Sequence, residues 1–203
     1  MINEIIDLEI AGRISVEALA ERIKAVGFRC QRCGDCCRGP DAEVLLFPSE
    51  VRRIISHTDQ PWLEVVEPPK AGVWDAEGNF HTLEWMLRRS ENGCAYYDAA
   101  SGSCSIYLAR PDICRTYPFY LDGDELCVSE CRGLGMEMDD EEALHIAQEL
   151  KRRLISEIRE EREARSRFSG FAAADRPESP TGVCIVHDRE GAHRVPLCRG
   201  EPG

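Results

Sequence analysis

The sequence predicts an α+β fold: a small, irregular cysteine-rich domain organised by metal or cluster centres, followed by a long helix and an extended C-terminal tail. Three observations carry that expectation. Short runs with helical period alternate with short strand-like runs, and no extended sheet pattern emerges. The 11 cysteines are grouped, with Cys30, Cys33, Cys36 and Cys37 crowded into one loop. A single stretch, 139–164, keeps the helical period long enough to build an extended helix. The expected organisation is a cysteine-cluster domain with an N-terminal helix over 1–135, a long amphipathic helix packed on it over 136–168, and an extended tail over 169–203.

In chain order, Ser15 to Val26 reads as a short helix, with Ser15 as N-cap, Glu17 in the first turn and Gly27 as the stop. Val16, Leu19, Ala20, Ile23 and Val26 supply its apolar face. Phe28 to Asp41 is a Gly- and Cys-rich loop closed by Gly39-Pro40. Glu43 to Phe47 is a strand candidate, and Pro48-Ser49 caps a helix to about Ser56. The prolines of 61–70 indicate a loop or an edge strand. Val73-Trp74 and Phe80 to Leu87 pair as a hairpin across 75–79. Cys94 to Cys104 is rich in turns, Ala109 to Tyr117 makes one or two helical turns, and Phe119 to Val128 is a tight hairpin around Asp122-Gly123. In the long helix Asp139 caps, Glu142 completes a capping box, and Leu144, Ala147, Leu150, Leu154 and Ile158 form the stripe. Its charged far end, 159–167, is expected to project into water, and Lys151-Arg152-Arg153 to form a solvated face. Val183 to Val186 is a strand candidate within the tail.

Composition narrows the function. The chain has 203 residues, with Lys+Arg 25 against Asp+Glu 37 and a net charge of −12, the wrong sign for a binder of phosphate backbones, so nucleic acid is not expected as a partner. No run approaches the roughly 18–20 apolar residues of a membrane span. Glu4, Asp7 and Glu9 stand where a secretory leader would carry positive charge, so a cytoplasmic, reducing setting is expected. There, clustered thiols are metal ligands or redox groups rather than a disulfide framework.

The spacing Cys30-x2-Cys33-x2-Cys36 lets one turn of loop wrap a single ion or cluster corner and leaves a fourth ligand to come from elsewhere. Ferredoxin-type [4Fe–4S] sites use this run, whereas a Zn(Cys)4 site typically uses two separate pairs. Adjacent side chains usually point apart, so Cys36 and Cys37 are expected to feed different centres. A second group, Cys94, Cys104, Cys114, Cys127 and Cys131, supplies five more thiols, enough with the first four for two four-thiolate sites. Spacing alone does not choose the pairing.

Phe28-Arg29-Cys30-Gln31-Arg32-Cys33-Gly34-Asp35-Cys36-Cys37 resembles the signature of the CxxCxxCC, or YkgJ-type, cysteine-cluster family, whose members are described as zinc- or iron-chelating domains. The resemblance continues through Asn92-Gly93-Cys94-Ala95-Tyr96-Tyr97, Cys104-Ser105-Ile106-Tyr107, Arg110 to Phe119 and Cys131-Arg132-Gly133-Leu134-Gly135, about half of the chain. It implies that Cys30, Cys33, Cys36, Cys37, Cys94, Cys104, Cys114 and Cys131 bind the metal or cofactor. Cys127 is a further possible ligand without a matching position, and Arg132 stands where the family commonly has proline.

Two functional classes follow. In the first, the protein holds one or two iron–sulfur clusters of [4Fe–4S] type and serves electron transfer, as an oxidoreductase component beside a partner enzyme. In the second, Zn2+ staples an interaction module without redox chemistry. The three-thiol run and the eight matched thiols favour iron–sulfur; the short knuckle-like turns favour zinc. Some longer relatives resemble flagellin lysine N-methylases, but no glycine-rich cofactor turn is present here. Arg29, Arg32, Arg38, Arg110 and Arg115 flank the ligands and are expected to offset thiolate charge and bond to sulfur. His57 and His145 read as surface or packing residues, and Cys184, His187, His193 and Cys198 as a conceivable extra zinc site. No catalytic dyad or phosphate loop is evident.

Overall fold

The computed structural model describes residues 2–39, 43–91, 93–168 and 172–197; Pro40, Asp41, Asn92 and Cys198, singled out above, lie outside them. The chain divides into two compact units, Met1–Ala42 with Tyr96–Arg159, and Glu43–Ala95 with Glu160–Gly203. Helices and sheets are mixed, as the sequence predicts.

The first unit begins with a helix at Ile2–Arg13, outside every expected element, followed by the expected helix Val16–Val26. Ser15 Oγ accepts from the Ala18 N–H at 3.2 Å, and Gly27, at φ 68°, closes the last turn by donating to Ile23 O. The hairpin pairs Phe119–Asp122 with Glu125–Val128, its turn at Gly123. The long helix, Asp140–Phe168, starts with the expected capping box: the Glu142 N–H donates to Asp139 Oδ1 at 2.8 Å, and the Asp139 N–H to Glu142 Oε2 at 3.2 Å.

These elements share one core of Leu19, Ala20, Ile23, Phe119, Met138, Ala143, Ala147 and Leu150. Each fully buried large side chain among them contributes about 1.5–3 kcal/mol. The buried stripe of the long helix runs through Ala143, Ile146, Ala147 and Leu150, while Leu144 is 36% exposed. The expected stripe is thus rotated by one position at its start. Lys151 is not simply solvated, because its ammonium donates to Gly12 O at 3.0 Å and Ile14 O at 2.7 Å. It thereby satisfies carbonyls at the end of the first helix, where cations are favoured. Arg153 likewise reaches Thr116 Oγ1 at 2.9 Å.

The second unit is built on a five-stranded sheet in the order Ala173–Ala174, Val73–Asp75, Phe80–Leu83, Val183–Asp188, Gly191–Pro196. Its interior strand Val183–Asp188 runs parallel to Phe80–Leu83 and antiparallel to Gly191–Pro196. The 80–87 run is not one strand. Glu84, at φ 63°, turns the chain out of this sheet, and Trp85–Leu87 becomes the middle strand of a second sheet between Leu45–Leu46 and Val66–Glu67. Val66–Glu67 is an edge strand, as its prolines suggest. Phe47, not Pro48 or Ser49, caps the helix Pro48–Thr58: its N–H donates to Glu50 Oε2 at 3.0 Å, with Pro48 at the first helical position. The far end of the long helix is not free in water, since the buried Glu160 pairs with Arg189 at 3.3 Å. No helix among the described residues is long and apolar enough to cross a membrane.

Candidate metal centre

The thiol loop is anchored by a sequence-distant backbone pairing. Phe28 bridges Leu134, the Arg29 N–H donates to Gly133 O at 2.9 Å, and the Gly135 N–H donates to Gly27 O at 3.0 Å. This pairing carries Cys131 to the start of the loop that holds Cys30. Gly133 permits the approach, because a Cβ there would collide with the Arg29 carbonyl. Further along, Gly34 adopts φ 77° and starts a one-turn helix, Asp35–Arg38, where the sequence predicted only loop. Its carbonyl accepts from the Cys37 and Arg38 N–H groups at 2.9 and 3.0 Å. Tyr97, from the short pair Tyr97–Asp98 and Ser103–Cys104, lies against Gly34 and occupies the space a side chain would need.

No disulfide joins the ten described cysteines. Cys131 is pushed above its ordinary pKa first by burial and then by the charges of Cys33, Cys36 and Cys30, so the three thiols of the C-x2-C-x2-C run act on this distant fourth one. The Tyr117 phenol feels Cys131, Cys36 and Cys33 in addition to its own burial, and its hydroxyl donates to Glu130 O at 2.5 Å. Cys104, raised mainly by burial, also feels Cys36. Cys36 and Cys37 do not point apart, since their sulfurs lie 3.8 Å from each other. Among the described residues no group of three or more His, Cys, Asp or Glu side chains is set to hold a metal ion. The donor chemistry nonetheless fits one, since ten described thiols are left unconsumed by disulfides and thiolate sites commonly close around the ion as it binds.

Arg110 acts on the Cys36 and Cys104 thiols by charge, as expected, whereas Arg38 and Arg115 bond to oxygen rather than to sulfur. Arg38 donates to Cys33 O at 2.7 Å and pairs with Asp35 at 3.2 Å, while Arg132 reaches the other oxygen of Asp35 at 2.8 Å. Arg115 donates to Arg110 O and Leu108 O at 2.9 and 2.8 Å, which ties together the segment between Cys104 and Cys114. They brace the backbone that carries the thiols. A donor to sulfur comes instead from the main chain, the Gly133 N–H at 3.5 Å from Cys131 Sγ. Arg132, Tyr97 and Tyr117 were not assigned these contacts from sequence. Their partners lie far along the chain, so no local pattern announces them.

Cys114 sits in the helical turn Asp112–Thr116 of the first unit. Cys127 lies on the hairpin opposite Tyr120, and its charge raises the pKa of that phenol. Cys94 belongs to the second unit, on the strand Gly93–Cys94 paired with Arg89–Ser90. Sheet alternation separates the conceivable tail ligands. Cys184 and the partner position of His193, Val186, face one side of their strand, and His187 faces the other. His187 stacks on His81 at 5.1 Å, with His81 Nδ1 2.8 Å from His187 Nε2 and His81 Nε2 3.0 Å from Asp75 Oδ2. His193 instead bonds Asp188 at 2.9 Å, whose other oxygen accepts from Trp85 Nε1 at 2.8 Å. These histidines serve the sheet. His57 and His145 are exposed on helices, as expected.

A family model, CxxCxxCC, described as "Putative zinc- or iron-chelating domain", matches residues 29–149. No solved structure matches the chain.

Proposed function

The chain belongs to the CxxCxxCC family of zinc- or iron-chelating domains, and from that membership we propose that it holds a [4Fe–4S] centre through Cys30, Cys33, Cys36 and Cys131. The observation that carries this reading is the backbone pairing of Phe28 with Leu134 and of Arg29 with Gly133, which brings the Cys131 segment against the start of the three-thiol run of a ferredoxin-type site. Cys37, Cys104 and Cys114 are the family-matched thiols of the first unit left for a second centre. Such a cluster supplies reversible one-electron transfer when bound. The protein's own residues position the thiols: Gly34 starts the turn, Arg38 and Arg115 brace the loops, and Gly133 donates to sulfur. In this reading the protein is a cytoplasmic electron carrier or oxidoreductase component working with a larger enzyme.

The Cys36–Cys37 geometry favours a second reading, zinc. Two thiolates on one tetrahedral ion with Zn–S of about 2.3 Å stand roughly 3.8 Å apart, and these sulfurs are 3.8 Å apart. Zinc would staple the loops and leave the protein without redox chemistry. Purification without oxygen, followed by elemental analysis and by visible and electron paramagnetic resonance spectra, separates the two. A brown protein with iron, sulfide and a reducible signal supports the cluster; a colourless protein with stoichiometric zinc replaces it. Protein carrying neither metal, or Cys33→Ser protein with full metal content, defeats both.

A further inference from the structure

We propose that the ion pair between Asp35 and Arg132 is the latch of the thiol loop, the contact that opens to admit a metal ion and closes to retain it. This deepens the metal-centre reading and rests on it. The loop is fastened to the Cys131 segment at two places. At its start the fastening is main chain: Phe28 bridges Leu134, and the Arg29 N–H donates to Gly133 O at 2.9 Å. At its far end Arg132 Nε meets Asp35 Oδ2 at 2.8 Å. Cys30 and Cys33 lie on the span between, and Cys131 directly precedes the arginine. Asp35 is itself tied into the loop, because Arg38 pairs with its Oδ1 at 3.2 Å and also donates to Cys33 O at 2.7 Å. On the other side of Cys131 the Tyr117 hydroxyl donates to Glu130 O at 2.5 Å, which fixes that segment independently of the loop.

Of these fastenings the ion pair is the one that yields. Its side chains are exposed, Arg132 at 73% and Asp35 at 45%, so water and salt compete for both charges. The pairing at 28–29 carries no formal charge, and Gly133 allows it by a close approach to the Arg29 carbonyl that would exclude a Cβ. Opening the ion pair therefore frees the end of the loop that carries Cys36 from the Cys131 segment, while the start stays joined. That is the movement an ion needs to pass between thiols on the two segments. A loaded thiolate centre is itself anionic and attracts any nearby cation, so charge and linkage have to be told apart. Arg29 supplies the comparison: it adjoins Cys30 as Arg132 adjoins Cys131, and has no ion pair among the described residues.

The test uses the reduced full chain, stripped of metal, loaded with Zn2+ without oxygen and challenged with excess chelator at low and high salt. Cys33→Ser identifies the release phase that belongs to this centre. Arg132→Gln should release zinc in that phase about two- to fivefold faster than wild type, the size an exposed ion pair supports. Arg132→Lys, which keeps the pair, and Arg29→Gln, which removes a charge without touching it, should each stay close to wild type. Added salt should speed release from wild type but not from Arg132→Gln. Hydrogen exchange of the metal-free chain gives a readout without metal: segment 30–38 should exchange faster in Arg132→Gln, and the helix Val16–Val26 should not change. Equal release from Arg132→Gln and wild type, equal acceleration by Arg29→Gln, or unchanged exchange over 30–38 overturns the latch and leaves the centre standing. Wild type that takes up no zinc, or Cys33→Ser protein that loses no phase, defeats the thiolate centre and the latch with it.

Discussion

The sulfur atoms of Cys36 and Cys37 lie 3.8 Å apart in the Asp35–Arg38 turn, and this contact has a chemical consequence. The hydrogen bond with Cys37 is the largest influence on Cys36 and, against the opposing effect of burial, holds its pKa at about 7 instead of the ordinary 9.0. Burial pushes the Cys104 and Cys131 thiols the other way. Since the thiolate is the nucleophile, Cys36 is the first of these three to be alkylated by iodoacetamide at neutral pH once metal has been stripped. Cys37→Ala removes the hydrogen bond, and should slow alkylation of Cys36 by roughly tenfold. Peptide mass spectrometry reads both effects, and uniform labelling of the three thiols would contradict them.

A pH effect is expected from the second unit. His187 is buried, which lowers its pKa below the ordinary 6.5, and His81 and His193 add to that depression while Asp188 opposes it. Phe168 closes over the ring at 5.3 Å. The unfolded chain therefore takes up the proton first as pH falls, so this contribution to stability is complete above 6.5 and is lost progressively below it. Thermal unfolding midpoints should drop between about pH 7 and pH 5. His187→Gln should flatten that slope; an equal slope in the variant would remove His187 as its source.

Local signals account for the elements that were legible in the sequence. Ser15 and Gly27 bracket one helix, Asp139 and Glu142 start another, and Asp122-Gly123 turns a hairpin; in each the residues that specify the element also make its hydrogen bonds. The thiol run was legible for the same reason. What was not legible depends on distant partners. The strand Val183–Asp188 reads as a short apolar run, and only its parallel pairing with Phe80–Leu83 makes it the interior of a sheet. Cys131 is likewise brought to Cys30 by the pairing of Phe28 with Leu134. Lys151 looks solvent-facing until the end of the first helix lies beside it. Alanines 143 and 147 mark the buried stripe of the long helix less visibly than Leu144, which decoys the eye by size alone.

That rotation of the stripe is measurable. Leu150 is 1% exposed in the shared core, so Leu150→Ala should cost about 2–5 kcal/mol. Leu144→Ala, at a 36% exposed position, should stay within about 0.5 kcal/mol. Denaturant unfolding of the metal-loaded protein distinguishes them, and comparable losses at both positions would mean that the helix packs through the stripe first expected.

Gly34 combines two separable constraints at the thiol loop. Its φ of 77° disfavours any residue with a Cβ, at about 1–2 kcal/mol, and a Cβ there would also collide with the Tyr97 ring and hydroxyl. Gly34→Ala must therefore deform the turn that carries Cys36 and Cys37, and should lose metal to a competing chelator sooner than wild type. Adding Tyr97→Ser relieves the collision but leaves the backbone cost, and it also removes the ring beneath Arg38, which lies 5.9 Å from its centroid. Metal retention in the double variant should fall between those of Gly34→Ala and wild type. Full retention by Gly34→Ala would show that the turn does not set the thiol geometry, and a double variant no better than the single one would show that Tyr97 does not restrict it.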